Sequence, residues 1–241
     1  VKILNIFLFL FLSTSLYAEK KVSILVYHTF YDKANISDIN FTKQELKDHI
    51  LYLKGNGFNF ITITEFKNES FEGDNNILIF IDDGNHTVFS AYNEILKPLN
   101  VYPVLAIYTD RPESDSKHSL TWSQIIKLNQ EGCDLAIHGY KHRLINNKFF
   151  DCSSCIYEEL YYSRFKLNMI TLVDTDIYVY PYGAYKEYIF CLLDMYEYKY
   201  AFALGDKSVI FPIQQKYAIS RIMLTRSNVW RMLEKIKRGD I

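Results

Sequence analysis

Short, mostly apolar runs recur along the chain at residues 22–27, 58–63, 77–81, 101–107, 134–137, 177–180, 200–204 and 217–224. They lack the alternation of a half-exposed strand, which predicts strands buried on both faces. Between them the pattern is helical. Thr42-Lys43-Gln44-Glu45 reads as a capping box, followed by the stripe Leu46, Ile50 and Leu53 and closed by Gly55 and Gly57. A second box, Thr121-Trp122-Ser123-Gln124, opens a helix ending near Gly132. Further helices are predicted over 88–96, 156–167, 186–195 and 228–237. Strands alternating with helices imply parallel β structure with helices outside, as an open doubly wound sheet or a (β/α) barrel. Periodicity does not choose between the two.

A length of 241 residues suits one domain of barrel size. A formal net charge of -1 gives no reason to expect nucleic acid or an anionic membrane surface as partner. Aromatic residues make up 16% of the chain, and 20 of its residues are Tyr. Such rings suit sugar faces as well as cores, and packing explains most of them. Val1-Lys2, the apolar residues 3–12, the small and polar residues 13–18 and Glu19-Lys20-Lys21 have the three parts of a secretory signal peptide. Residues 1–18 are therefore expected to be that peptide, cut near Ala18, and 19–241 one periplasmic or secreted domain with no later membrane span. An uncleaved N-terminal anchor stays open. Four cysteines, Cys133, Cys152, Cys155 and Cys191, agree with an oxidising compartment. Cys152 and Cys155 read as a local disulfide or as two idle thiols, since no second such pair exists to complete a thiolate metal site.

The chemistry-bearing residues cluster just beyond the apolar runs. Asp82-Asp83-Gly84 follows 77–81, and His138-Gly139-Tyr140-Lys141-His142 follows 134–137. Strand ends of a barrel converge on one face, where sites are built. One Asp with two His offers one oxygen and two nitrogens, which suits zinc or a similar divalent ion, and a second carboxylate beside it is a natural general base. His138 and His142 share a face if the chain turns helically between them. Taken singly, Asp-Asp-Gly is also a common turn, and a lone His beyond a strand is commonly a packing residue.

In order and spacing, Tyr27-His28, Asp82-Asp83-Gly84, Thr121-Trp122, His138 to His142, Tyr180-Pro181-Tyr182-Gly183 and Ser220-Arg221-Ile222 resemble the polysaccharide deacetylases of carbohydrate esterase family 4. The resemblance runs over about 22–236. It implies a distorted (β/α) barrel of about seven parallel strands in a single domain. It also implies an N-deacetylase acting on N-acetylhexosamine units of poly-N-acetylglucosamine or peptidoglycan. Carried over, Asp82 is the base, and Asp83, His138 and His142 bind the metal, most often zinc, with cobalt or nickel as alternatives. The backbone N–H of Tyr182 would stabilise the oxyanion. The usual C-terminal histidine acid has no counterpart, since no His follows His142. His28 matches the Tyr-His element of the poly-N-acetylglucosamine deacetylase branch and takes that role. Where the family has an Arg orienting the base, this chain has Val179, and Ile81 replaces a usual Ser or Thr. Arg221 is the expected substitute partner for Asp82, and Trp122 and Tyr182 are expected to line the sugar groove. His49, His86 and His118 read as surface or packing residues. The expected partner is an N-acetylated polysaccharide and the expected state a monomer. A carbohydrate-binding protein with a weakened catalytic site is the alternative that Ile81 and Val179 suggest.

Overall fold

The computed structural model describes residues 20–33, 37–115 and 117–241; the segment read as a signal peptide lies outside them. Seven strands carry the fold: β1 (Lys21–Tyr27), β2 (Asn76–Asp82), β3 (Val104–Ile107), β4 (Asp134–Ile137), β5 (Ile177–Val179), β6 (Tyr200–Gly205) and β7 (Ile219–Met223). Each pairs in parallel with the next, and β7 pairs in parallel with β1, so the sheet closes into the expected (β/α) barrel.

Closure gives every strand two buried faces, between which successive side chains alternate. Ile24, Val26, Leu78, Phe80, Ala106, Val179 and Phe202 belong to one apolar cluster. Leu25, Ile77, Ile79, Ile81, Leu105 and Ile107 belong to another, together with the helix residues Leu46, Ile50, Leu128, Leu167 and Leu233. The first cluster fills the barrel: the rings of Phe80 on β2 and Phe202 on β6 lie 4.8 Å apart although those strands are not neighbours. The second is the layer between barrel and helices. Phe66 packs 5.9 Å from Phe202 and, with Ile61 and Phe71, plugs the end of the barrel where the strands begin. The opposite end is left for chemistry.

The capping boxes at Thr42 and Thr121 both form, opening helices Lys43–Gly55 and Trp122–Gln130. A third box, Thr62 with Glu65, opens helix Ile63–Asn68 within the run read as a strand over 58–63. Only Asn59–Phe60 is strand there, pairing with the edge of β2. The signature was present in the sequence, but its apolar, β-branched surroundings favour a strand. β3 starts later than 101 because Pro103 has no N–H for a ladder. The helix expected over 156–167 is longer: Ser153–Ile156, Tyr157–Tyr162 and Ser163–Thr171 run on continuously, the middle part with π-type bonds. No helix joins β6 to β7. Instead Val209–Ile210 pairs antiparallel with the start of β1.

Cys152 and Cys155 form a disulfide, whereas Cys133 is buried and free and Cys191 exposed and free. Among the described residues no helix is long and apolar enough to cross a membrane.

His49 is a packing residue, fully enclosed behind β1. Its ring stacks on Tyr27, meets Phe41 and Trp230 edge-on, and its Nδ1 lies 3.3 Å from the Tyr27 hydroxyl. Burial pushes its pKa down from 6.5 to about 4. The unfolded chain therefore takes up this proton first, so His49 lowers stability as pH falls from 6.5 toward 4 and has no such effect above 6.5. The loss amounts to about 2 kcal/mol between pH 8 and pH 5. His49→Gln accepts the same hydrogen bond without titrating. Its urea midpoint is expected to fall less than the wild type's between those pH values, and parallel pH dependences would refute the assignment.

Candidate active site

The interior rows of the barrel continue into polar residues where the strands end. Ile24 and Val26 lead to His28, Leu78 and Phe80 to Asp82, Ala136 to His138, and Ile219 to Arg221. Each step keeps the two-residue period, so these side chains share the inside of the barrel. His28, Asp82, Asp83, His138, His142, Tyr182 and Gly183 line a cavity of about 310 Å³, walled otherwise by Ile39, Leu204 and Met223.

Arg221 is completely buried and donates from Nη1 to Asp82 Oδ1 at 2.8 Å. Its guanidinium carbon lies 5.0 Å from the centroid of the Phe80 ring, a cation–π contact inside the barrel. Nε and Nη2 of Arg221 have no hydrogen-bond partner among the described residues, which leaves the Asp82 contact as its one hydrogen bond to a side chain there. Burial works to raise the pKa of Asp82. The charges of Arg221, His138 and His28, with the Arg221 hydrogen bond, outweigh burial and hold the carboxyl below its ordinary value. Asp82 is thus a buried but ionised carboxylate.

By alternation Asp83 would face the helices. It does not, because the strand stops at Asp82 and the chain turns back through two left-handed residues, Asp83 (φ 74°) and Gly84 (φ 65°). Arg111 secures the turn, Nη1 donating to the Asp83 carbonyl at 3.1 Å. Both carboxylates therefore reach the same cavity. His138 and His142 are also joined by a left-handed loop, with Gly139 at φ 81° and His142 at φ 57°, and not by the helical turn their spacing suggests. The reason is the buried Glu159, whose carboxylate draws in the backbone N–H groups of Tyr140 and Lys141, each at 2.9 Å.

The donor atoms fit a cation. Asp83 Oδ1 is 3.6 Å from His138 Nε2 and 3.5 Å from His142 Nε2, and the two nitrogens are 3.1 Å apart. Three donors about 2.0–2.1 Å from a tetrahedral zinc stand about 3.3–3.4 Å from one another. His138 Nδ1 lies 2.9 Å from the Val179 carbonyl and must donate to it, so in the neutral ring Nε2 carries the lone pair. Asp83 Oδ1 is buried with no hydrogen-bond partner among the described residues. Burial lowers the pKa of both rings, and the charge of His138 helps push His142 down to about 4. At 3.1 Å the His138 lone pair can accept from His142 Nε2–H, and a cation bound by both rings would take the place of that proton.

The model of the polysaccharide deacetylase family matches residues 71–201, just over half of the chain. The chain belongs to that family. It is accordingly a polysaccharide deacetylase, a hydrolase of the carbohydrate esterase family 4 type. No curated protein matches it in sequence. Among solved structures it is similar to a polysaccharide deacetylase from Bacillus cereus, with TM-score 0.76, 19% identity and coverage of 90% of this chain and 69% of that one. It is similar also to IcaB from Ammonifex degensii (TM-score 0.77, 15% identity, 91% and 98% covered). A de-N-acetylase from Aggregatibacter actinomycetemcomitans gives TM-score 0.76, 17% identity, 90% and 100% covered. At these identities the likenesses speak for the fold.

The deacetylase fold gathers most of the residues singled out in the sequence. Tyr182 sits on a left-handed turn (φ 60°), its ring 63% exposed and 4.6 Å from that of His142. Gly183 follows because a Cβ there would run into Leu204. Trp122 is not among the residues lining the cavity. Its indole donates to Glu113 at 3.2 Å, and Lys166 lies over its ring, so it belongs to the contact between two outer helices. His86 lies next to His118, which pairs with Asp115, and neither lines the cavity. Arg111 and Glu159 went unnoticed in the sequence. Nothing marks Arg111, but Glu159 falls on the buried stripe with Ser163 and Leu167, where a charge is a signal.

Replacing Arg221 by Met should leave the Asp82 charge buried and unpaired, costing about 3–5 kcal/mol in denaturant unfolding. In Asp82→Asn/Arg221→Met most of that loss should return. Purely additive single costs would mean that the two are not coupled.

Proposed function

We propose that this deacetylase is metal-dependent and removes N-acetyl groups from N-acetylhexosamine units of an envelope or exported glycan. The observation that carries the proposal is the convergence of Asp83, His138 and His142 beside an ionised Asp82 at the mouth of the barrel. An amide is a poor electrophile, and a divalent cation in that triangle, zinc, cobalt or nickel, would supply Lewis acidity to the acetyl carbonyl and acidify water. Asp82, kept ionised by Arg221, takes the proton of the attacking water. The backbone N–H of Tyr182 faces the developing oxyanion. His28, on the β1 side of the same cavity, gives a proton to the departing amine, so that water and amide become acetate and amine.

Arg221 reaches the base from β7 while Val179, at the position usual for that Arg, keeps its carbonyl on His138. This weighs against a weakened, glycan-binding remnant. The Tyr27-His28 element favours poly-N-acetylglucosamine over peptidoglycan. In this reading the enzyme works outside the cytoplasm, where the Cys152–Cys155 bond suits an oxidising compartment.

The test is acetate release from a panel of β-1,6-linked N-acetylglucosamine oligomers and peptidoglycan fragments, using protein stripped of metal and reloaded with zinc, cobalt or nickel. Release should depend on the metal. Asp82→Asn should lower kcat by about 10²–10⁴-fold while metal content is kept. Protein that carries metal and binds these glycans yet frees no acetate from any of them would sink the reading.

A further inference from the structure

We propose that Glu159 is a positioning residue for the metal-ligand pair His138 and His142, an inference that rests on the metal-dependent reading above. Glu159 is entirely buried, on the helix that follows β4. Its carboxylate accepts from the backbone N–H of Tyr140 through Oε2 and of Lys141 through Oε1, each at 2.9 Å, and from that of Arg143 at 3.5 Å. The Arg143 guanidinium adds a further bond at 3.2 Å, and its other contact is to Glu158 at 2.6 Å. One side chain thus satisfies the backbone donors of Tyr140, Lys141 and Arg143, between and just beyond the two histidines.

This arrangement accounts for the loop's shape. A non-glycine residue in the left-handed region costs on the order of 1–3 kcal/mol, and His142 is held there at φ 57°. Without an acceptor at the centre of the loop, the Tyr140 and Lys141 N–H groups would be unpaired, and a helical turn would become the cheaper course. Such a turn would change where the His142 imidazole points. The arrangement also explains Gly139: besides its φ of 81°, a Cβ at that position would strike Glu159 Oε2. Glycine and glutamate are therefore two halves of one device, and the 3.1 Å separation of the two imidazole nitrogens follows from it.

Glutamine at 159 keeps the shape but turns an amide NH₂ toward backbone N–H donors, so at least one of those bonds is lost. Zinc titrated into the metal-free protein, followed by calorimetry, should bind Glu159→Gln about 10- to 100-fold more weakly than wild type, the range for partners that orient ligating histidines. The rise in thermal midpoint on adding zinc should shrink in step. Gly139→Ala attacks the same contact from the loop side and should show the same loss, so the proposal remains testable if Glu159→Gln does not fold. Glu158→Gln, at a side chain whose hydrogen bond among the described residues is to Arg143, should bind zinc as wild type does. A purely structural role would lower the midpoints of metal-free and zinc-loaded Glu159→Gln equally with zinc affinity unchanged, and that result would overturn the proposal. Failure of the wild type itself to take up zinc is a separate result, which overturns the metal reading and this proposal together.

Discussion

Closure of the seven-strand parallel ring is the constraint on which everything else rests. It buries both faces of every strand, so the strands are largely apolar, and any polar residue in an interior row is forced either to find a partner or to sit at a mouth. One mouth is plugged by Phe66, Ile61 and Phe71. The other receives the next residue of each row: His28, Asp82 and His138, with Leu204 and Met223 as apolar wall. The site is the place where alternation meets solvent, assembled from strands distant in sequence.

Charge inside such a barrel has to be compensated locally, because a lone ion there is costly to desolvate. Asp82 and Arg221 meet that demand at 2.8 Å across the interior. The same bond that makes a buried carboxylate tolerable also keeps it ionised, so stability and the charge state of Asp82 share one cause. Glu159 applies the same logic one layer outward. Its charge is satisfied by backbone N–H groups and Arg143, and the resulting loop presents two imidazoles to one point. Both devices satisfy a buried carboxylate with donors held close by in the fold.

Backbone conformation does the remaining work at the mouth. Asp83, His142 and Tyr182 all adopt left-handed φ values, each at the place where the chain leaves a strand or closes a loop beside the cavity. Such strain persists only where the surroundings hold it. Arg111 holds Asp83 through its carbonyl, Glu159 holds the loop of His142, and Pro181 with Gly183 frames Tyr182. The other left-handed non-glycine residues, Glu69, Asn100, Leu172 and Glu197, sit at or just past helix C-termini, the ordinary place for that conformation.

Much of this was legible in the residues themselves. Uninterrupted apolar runs declare doubly buried strands, capping boxes declare helix starts, and the polar residues just past each run mark the open mouth, because all three depend on local periodicity and local hydrogen bonding. Local pattern was not enough at residues 58–63, where a capping box won over β-branched neighbours. Periodicity left open whether the sheet closes, which only the family resemblance implies, and Arg221 as partner of Asp82 rested on residue type alone. Tertiary structure brought those two together across 139 residues of chain and turned Asp83 inward against its alternation. These outcomes depend on which strands become neighbours and on which buried donors need an acceptor. Periodicity along a chain carries no record of such pairings.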